Sequence, residues 1–322
     1  MVRPALETFV AAEDVRVFFV DTHSIEKGRA SDGAVPSAFR TYRAGASDVA
    51  VIGRNHDAFK QVWWQYGYPG DFAYREFHSK DEQSGLRYWC VTGADVPLAE
   101  KAYYEPGPAF ERTKEHARHF VMMIEEQLAA YRASSGQRGL MAAVYDAELF
   151  GHWWWEGVAW LTDVVRRMAS HERIELTDAA SYVEAHAPAA SIEMPRGSWG
   201  IDGDDSTWMN DKTAWMWPVI ARAQRRLERI AAKSRAATGD KRAAVHQLLR
   251  EALLLESSDW PYLITTGEAA AYAELRFREH AERFETLASM IESDAIDGAY
   301  VEDLTARDNV FPDVDTDELI AR

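Results

Sequence analysis

The run Leu140-Met141-Ala142-Ala143-Val144-Tyr145 ends in Asp146-Ala147-Glu148-Leu149-Phe150-Gly151-His152 and passes straight into Trp153-Trp154-Trp155-Glu156-Gly157. An apolar run that follows the turn-former Gly139 reads as a strand. Asp146 and Glu148 are two residues apart, so an extended backbone sets both on one side. Gly151 then breaks the strand, and a helical pattern opens towards Trp160 and Val164. Strand, acids, glycine and helix in that order point to an α/β architecture. In an α/β barrel the C-terminal strand ends form the mouth, where catalysis takes place. Aromatic faces beside a carboxylate also suit a sugar, whose C–H patches lie flat on indole rings. A plainer reading makes the acids caps of the next helix and the tryptophans core. Spacing alone does not separate the two.

Composition narrows the partners. At 322 residues the chain holds one large domain or two smaller ones, and 47% hydrophobic residues are ample for a core. A net charge of −16 argues against nucleic acid or an anionic membrane as partner, while a neutral polysaccharide is indifferent to it. The single cysteine, Cys90, excludes an internal disulfide and fits a reducing compartment. Nothing near Met1 has a signal-peptide pattern and no apolar run reaches transmembrane length, so cytoplasm is expected. The unusual figure is 12 tryptophans, several of them around the central stretch.

Along the chain, residues 5–12 read as a helix feeding a strand at 15–20 that ends in Asp21-Thr22-His23. Residues 24–46 read as an irregular excursion, and 49–52 as a short strand ending at Gly53-Arg54. A further strand is expected at 85–93 and a helix at 108–133. That helix places His116 and His119 at i, i+3, a metal-capable pair. With no third ligand at sensible spacing, they read as helix-face histidines. Asp202, Asp204 and Asp205 lack the calcium-loop pattern and read as a solvated acidic turn. From Ala214 onward the pattern is helical: 219–234 with a basic face, 241–256, and 266–292 with Thr266 as N-cap. The tail after Ala306 is acidic and expected to fray.

The motif Y-D-A-E-L-F-G-H-W-W-W-E-G at 145–157 closely resembles the fourth signature motif of glycoside hydrolase family 57, specifically its 1,4-α-glucan branching enzymes. The usual form there is close to Y-D-A-E-L-F-G-H-W-W-F-E-G. Further phrases match in the same order: V-R-V-F-F-V-D-T-H, K-Q-V-W, G-Y-P-G-D, Y-R-E-F, G-L-R-Y-W-C-V-T-G, S-W-G and S-S-D-W-P-Y followed by T-T-G. The resemblance implies that Asp146 is the general acid/base and that Arg54 and Gly70 contact substrate. It also implies that Trp63 helps hold the acceptor glucan, that Trp199 stacks on the glucan, and that Asp259 binds it from a helical domain. By residue type alone, Arg54 is as readily an ion-pair arginine and Gly70 a turn glycine. After T-T-G the family usually has a Gln sugar ligand, whereas this chain has Glu268. A carboxylate accepts a hydroxyl proton but cannot donate as an amide does. The segment between Phe77 and Gly85 is shorter than its counterpart, which bears on acceptor preference.

The implied fold is α/β plus all-α: an incomplete (β/α)₇-type barrel over 1–165, with the excursion at about 24–46, then an α-helical C-terminal domain over 166–322 closing the cleft. The implied reaction is retaining transfer of an α-1,4-glucan segment to form an α-1,6 branch, in glycogen or α-glucan synthesis, with no metal or organic cofactor. Such transfer needs two carboxyls about 5–5.5 Å apart. Asp146 supplies one; Glu148 is too close along the strand, and Asp21 reads as a hydroxyl binder. Arg3-Pro4-Ala5-Leu6-Glu7 resembles the R-P-x-L-E that follows the family's P-E-x-x-Y nucleophile motif. The nucleophile is therefore expected upstream of residue 1, and the isolated chain is expected to have little activity. Unpaired strand edges favour a partner, so a separately encoded N-terminal half is a second expectation, or a glucan-binding subunit. A family-57 α-amylase or 4-α-glucanotransferase is a third.

Overall fold

The computed structural model describes residues 2–314 apart from Pro4, Gln65 and Ala94. The chain divides into two compact units between Trp199 and Gly200. The first is built on a small mixed sheet of β1 (Val17–Val20), β2 (Arg29–Ala30), β3 (Thr41–Ala44), β4 (Ala50–Gly53) and β5 (Ser191–Glu193), in the order β1-β4-β3-β5-β2. β1 runs parallel to β4, pairing Val17 with Ala50 and Val20 with Gly53. β3 is antiparallel to β4 and parallel to β5, and β2 closes the other edge against β5. All four residues of β4 are buried, which is why its sequence is an unbroken small-apolar run rather than an alternation.

Among the described residues this unit carries the α-helices α1 (Leu6–Ala12), α2 (Thr22–Glu26), α3 (His56–Trp63), α4 (Pro106–Ser135), α5 (Gly157–Ala169) and α6 (Ala179–Ala185). Their ends are coded locally. The Asn55 side chain accepts from the Ala58 N–H at 2.9 Å to start α3, and Gly136 at φ 72° closes α4. α4 and α5 share a core of Phe120, Val121, Ile124, Trp154, Trp160, Val164 and Met168. On α4, His116 is half-buried and His119 exposed, and their Nδ1 atoms hydrogen-bond the Tyr74 and Tyr68 hydroxyls at 2.7 and 2.6 Å.

Several expectations change. Residues 140–145 are extended but form no strand; only Ala142 bridges Arg54, with the Asn55 N–H donating to the Ala142 carbonyl at 2.8 Å. The chain then turns into a short 3₁₀ helix at Ala147–Leu149 instead of prolonging the pairing. Residues 85–93 also form no sheet strand, only single bridges of Cys90 to Arg75 and Trp89 to Tyr103, and Thr92 is at φ 56°. The supposed irregular excursion holds α2, β2 and β3. Two- and four-residue elements flanked by Gly and Ser carry too little periodicity to be legible. β5 brings residues beyond 165 into the sheet, so the units part at 199/200 rather than at 165/166.

The second unit is helical: α7 (Met216–Lys233), α8 (Gly239–Leu255), α9 (Asp259–Thr266), α10 (Ala270–Ser293) and α11 (Gly298–Arg307). Phe277, Phe284 and Leu287 of α10 pack with Leu248 of α8 and Ile220 of α7. Thr266 does not cap the long helix. It ends α9, Gly267 takes the left-handed position at φ 82°, and α10 begins at Ala270. The basic face of α7 is answered in part by acids of α10: Arg226 pairs with Glu285 and, at 2.8 Å, with Glu292. Residues just after α11 are held rather than frayed, since Arg250 donates to the carbonyls of Val310 (3.1 Å) and Pro312 (2.9 Å). Residues 315–322 lie outside the described residues.

Glu251, His280 and Asp308 bring three metal-capable groups together in this core. Guanidinium groups already stand there. Arg283 donates to Asp308 at 2.7 Å, and Arg276 lies 3.0 Å from His280 Nε2. Arginine can only donate, so Nε2 accepts and Nδ1–H points to Glu251 Oε2 at 2.8 Å. The cluster is a self-neutralised ion network. Among the described residues no helix is long and apolar enough to cross a membrane.

Candidate active site

The ends of β1 and β4 are locked together, and their lock sets the site. The Arg54 N–H donates to the Val20 carbonyl at 2.9 Å, and Thr22 Oγ1 donates to the Arg54 carbonyl at 2.7 Å. Asp21, one residue past β1, caps α2 and accepts from the Arg54 guanidinium. Both side chains are largely buried, at 13% and 15% exposure, so the pair is held apart from bulk water. His23 Nδ1 lies 3.1 Å from the other Asp21 oxygen.

Two aromatic faces flank the same guanidinium. Its carbon lies 3.6 Å from the centroid of Phe59 on α3 and 4.4 Å from that of Trp199. Arginine stacks well because its planar cation is weakly hydrated. Trp199 remains 40% exposed, which leaves indole surface open beside the pair.

Asp146 leads into the 3₁₀ turn at the end of the 140–145 segment, which the Ala142–Arg54 bridge ties to the end of β4. Water reaches its carboxyl, yet the surrounding wall strips enough hydration to raise its pKa. The nearby Glu148 charge adds to that rise, and Arg54 opposes it. Burial and a like charge therefore favour the neutral form of this carboxyl, with a cation in electrostatic reach.

Behind it, the three tryptophans alternate. Trp154 is 1% exposed in the core, whereas Trp153 and Trp155 are 41% and 46% exposed. Glu156 is fully buried, accepts from the Arg75 N–H at 3.2 Å, and has its pKa raised by burial.

Gly70 ends a 3₁₀ turn (Tyr68–Gly70) and lines a hollow of about 330 Å³ with Gln61, Tyr66, Gly67, Tyr68, Asp71 and His116. Trp63, 39% exposed, ends α3, the helix that also supplies Phe59. Asp259 and Glu268 belong to the second unit. Asp259 is the exposed first residue of α9, accepting from Ser257 Oγ at 3.2 Å, and Glu268 is exposed between α9 and α10. The first unit thus gathers Asp146, Arg54 and Trp199, with Gly70 and Trp63 further along from α3. Phe59 is the participant that reading the sequence missed. Its only signal is its place five residues after Arg54, beyond the Asn55 cap.

Comparison with known proteins follows the same division. Residues 219–318 match the family described as 1,4-alpha-glucan branching enzyme, C-terminal. A 1,4-alpha-glucan branching enzyme of Thermococcus kodakarensis is 41% identical over 323 aligned residues, covering 96% of this chain and 48% of that protein. Over 96% of its own length, this chain is similar to a GH57 branching enzyme. The crystal structure of that Thermococcus enzyme, a GH57 branching enzyme in complex with glucose and additives, superposes with a TM-score of 0.88, covering 96% of this chain and 59% of that one. The GH57-type branching enzyme of Pyrococcus horikoshii gives 0.87 at 36% identity, over 98% of this chain and 58% of that one. An α-amylase of Thermotoga maritima gives 0.82 at 27% identity, over 98% and 62%. The chain therefore spans about half the length of the curated branching enzymes it matches, and the fold is shared with an amylase at lower identity.

Proposed function

We propose that this chain supplies the acid/base side of an active site that transfers α-1,4-glucan segments to form α-1,6 branches, as in glycogen or α-glucan synthesis. Asp146 protonates the departing glycosidic oxygen and later takes the proton of the incoming hydroxyl. Arg54, oriented by Asp21 and flanked by Phe59, fixes sugar hydroxyls beside it. Trp199 offers its open indole to a pyranose face. Gly70 and Trp63 hold a neighbouring part of the glucan; on the helical unit, Asp259 and Glu268 are exposed carboxylates suited to sugar hydroxyls. The observation that carries this reading is the convergence of Arg54, Trp199 and the upward-tuned Asp146 carboxyl on the ends of β1 and β4.

The nucleophile is a different matter. Glu148 sits two residues along the same turn from Asp146, and Asp21 is committed to Arg54 and His23. Neither is placed to attack an anomeric carbon opposite the proton donor. We infer that the attacking carboxylate comes from an N-terminal half, whether encoded with this chain or separately, that extends the small sheet toward a (β/α)₇-type barrel. No metal or organic cofactor enters this chemistry. The buried free thiol of Cys90 is in keeping with a cytoplasmic setting.

Of the other readings, a non-catalytic glucan-binding subunit shares every contact named here but makes no use of the raised Asp146 carboxyl. An α-amylase or 4-α-glucanotransferase is less favoured, since the amylase neighbour is the more distant one at 27% identity. Migration of the pure chain through native gels containing amylose tests the shared premise. Retardation of the wild type that disappears in Trp199→Ala is expected; free migration of the wild type overturns the reading.

A further inference from the structure

Trp153 is built differently from an ordinary exposed aromatic. Phe77 backs it, with ring centroids 4.3 Å apart and planes inclined by 34°, while 41% of the indole residue stays open to water. Two exposed imidazoles border the pair: His152 meets Phe77 edge-on at 5.1 Å, and His78 lies 6.1 Å from Trp153.

The support beneath is rigid. Arg87 Nε donates to the Phe77 carbonyl at 2.6 Å and lays its guanidinium over the Phe77 ring at 4.9 Å. The Glu76 N–H donates to the Trp89 carbonyl at 2.9 Å, and the Glu76 carboxylate pairs with Lys101 at 2.9 Å. On the other side, the Trp153 backbone is pinned by core Trp154, whose N–H donates to the Leu149 carbonyl at 2.8 Å. An open indole face held this firmly loses little entropy when a ligand stacks on it. A flat apolar surface rimmed by imidazole donors and acceptors suits a ring with one apolar face and equatorial hydroxyls, which is a pyranose.

We propose that Trp153, braced by Phe77, is an additional glucan-stacking position for the chain of sugars that Asp146 acts upon. The position rests on the glucan reading above and extends it. Trp153 follows closely on the 3₁₀ turn that Asp146 opens, and its N–H reaches back to the Glu148 carbonyl of that turn at 3.5 Å, which ties the stacking position to the segment carrying Asp146. Trp155, the next exposed indole, lies against the Arg75 guanidinium at 3.9 Å, whereas Trp153 is backed by the Phe77 ring.

Calorimetric titration of the 322-residue chain with maltoheptaose tests the assignment, using wild type, Trp153→Ala, Trp153→Phe, Trp199→Ala and Tyr272→Ala. Tyr272 is an exposed aromatic of the helical unit and serves as the control. Trp153→Ala is expected to weaken binding about five- to tenfold, the scale of one aromatic contact. Trp153→Phe is expected to recover most of that loss, and Tyr272→Ala to bind as the wild type does. Thermal melting within a few degrees of wild type separates lost stacking from lost folding. Wild-type affinity in Trp153→Ala, with Trp199→Ala impaired, overturns this proposal and leaves the glucan reading standing. Absence of binding by the wild type overturns both.

Discussion

Arg54 and Asp21 form one largely buried ion pair across the ends of two parallel strands, and the same guanidinium lies under the open indole of Trp199. Structure and site share this contact, so the two can be disturbed together and told apart.

Removing only the cation strands Asp21 in a half-dry place. Arg54→Met is expected to destabilise the protein by about 3–5 kcal/mol, the range for breaking a buried pair from one side. Adding Asp21→Asn to Arg54→Met is expected to recover part of that loss, because the orphan charge goes with it. Urea denaturation of the two single variants and the double variant measures the coupling. Additive losses contradict the pairing.

The Asp146 carboxyl is raised by lost hydration and Glu148, and lowered by Arg54. Carboxyl carbon NMR titration is expected to place its midpoint above the ordinary aspartate value of 3.8. Glu148→Gln is expected to bring the midpoint down and Arg54→Met to send it up. A midpoint at or below 3.8, or shifts of the opposite sign, contradicts this description of the Asp146 carboxyl.

Glu156 is raised by burial, so the folded state holds its proton more tightly than the unfolded chain does. Its contribution to stability is complete below the unfolded value of about 4.5 and is lost as pH rises through the folded one. Glu156→Gln cannot ionise and escapes that loss. Its melting temperature relative to wild type is therefore expected to be higher at pH 8 than at pH 4.5, as differential scanning calorimetry can follow.

His116 runs the other way. Burial lowers it to about 4; the Asp71 charge opposes that shift, and Arg112 and His119 add to it. Its share of stability is present above pH 6.5 and lost as pH falls from there towards 4, up to about 3 kcal/mol at full expression. In His116→Gln the melting temperature is expected to fall less steeply between pH 6.5 and 4 than in wild type. An unchanged slope places the acid sensitivity elsewhere.

Legibility in the sequence followed length and repetition. The helices α4, α7, α8 and α10 were readable because several turns of apolar spacing accumulate in each, and β1 and β4 because short β-branched or apolar runs end in polar residues. β2 and β5 were not, since two or three residues have no period, and their pairing is decided by chain segments far apart in sequence. Residues 140–145 misled for a related reason. Their apolar content records burial, whereas a strand also needs a continuous partner, and only Ala142 has one. At the site, Asp146, Arg54 and Trp199 were named through motif resemblance and stand within one electrostatic neighbourhood. Phe59 and the Phe77 brace depend on tertiary packing, which no spacing rule reports. Thr266 was misjudged because threonine serves as a helix start in most patterns, whereas Gly267 after it marks a stop.

The most direct test joins this chain to the earlier half of the Thermococcus kodakarensis branching enzyme and counts α-1,6 linkages formed on amylose by proton NMR. The joined protein is expected to form branches, the 322-residue chain alone to form none, and the joined Asp146→Asn variant to lose at least about a hundredfold in rate, the lower end for removing a general acid. Branching that survives in the Asp146→Asn variant contradicts the assignment of the proton donor, and with it the account of this site.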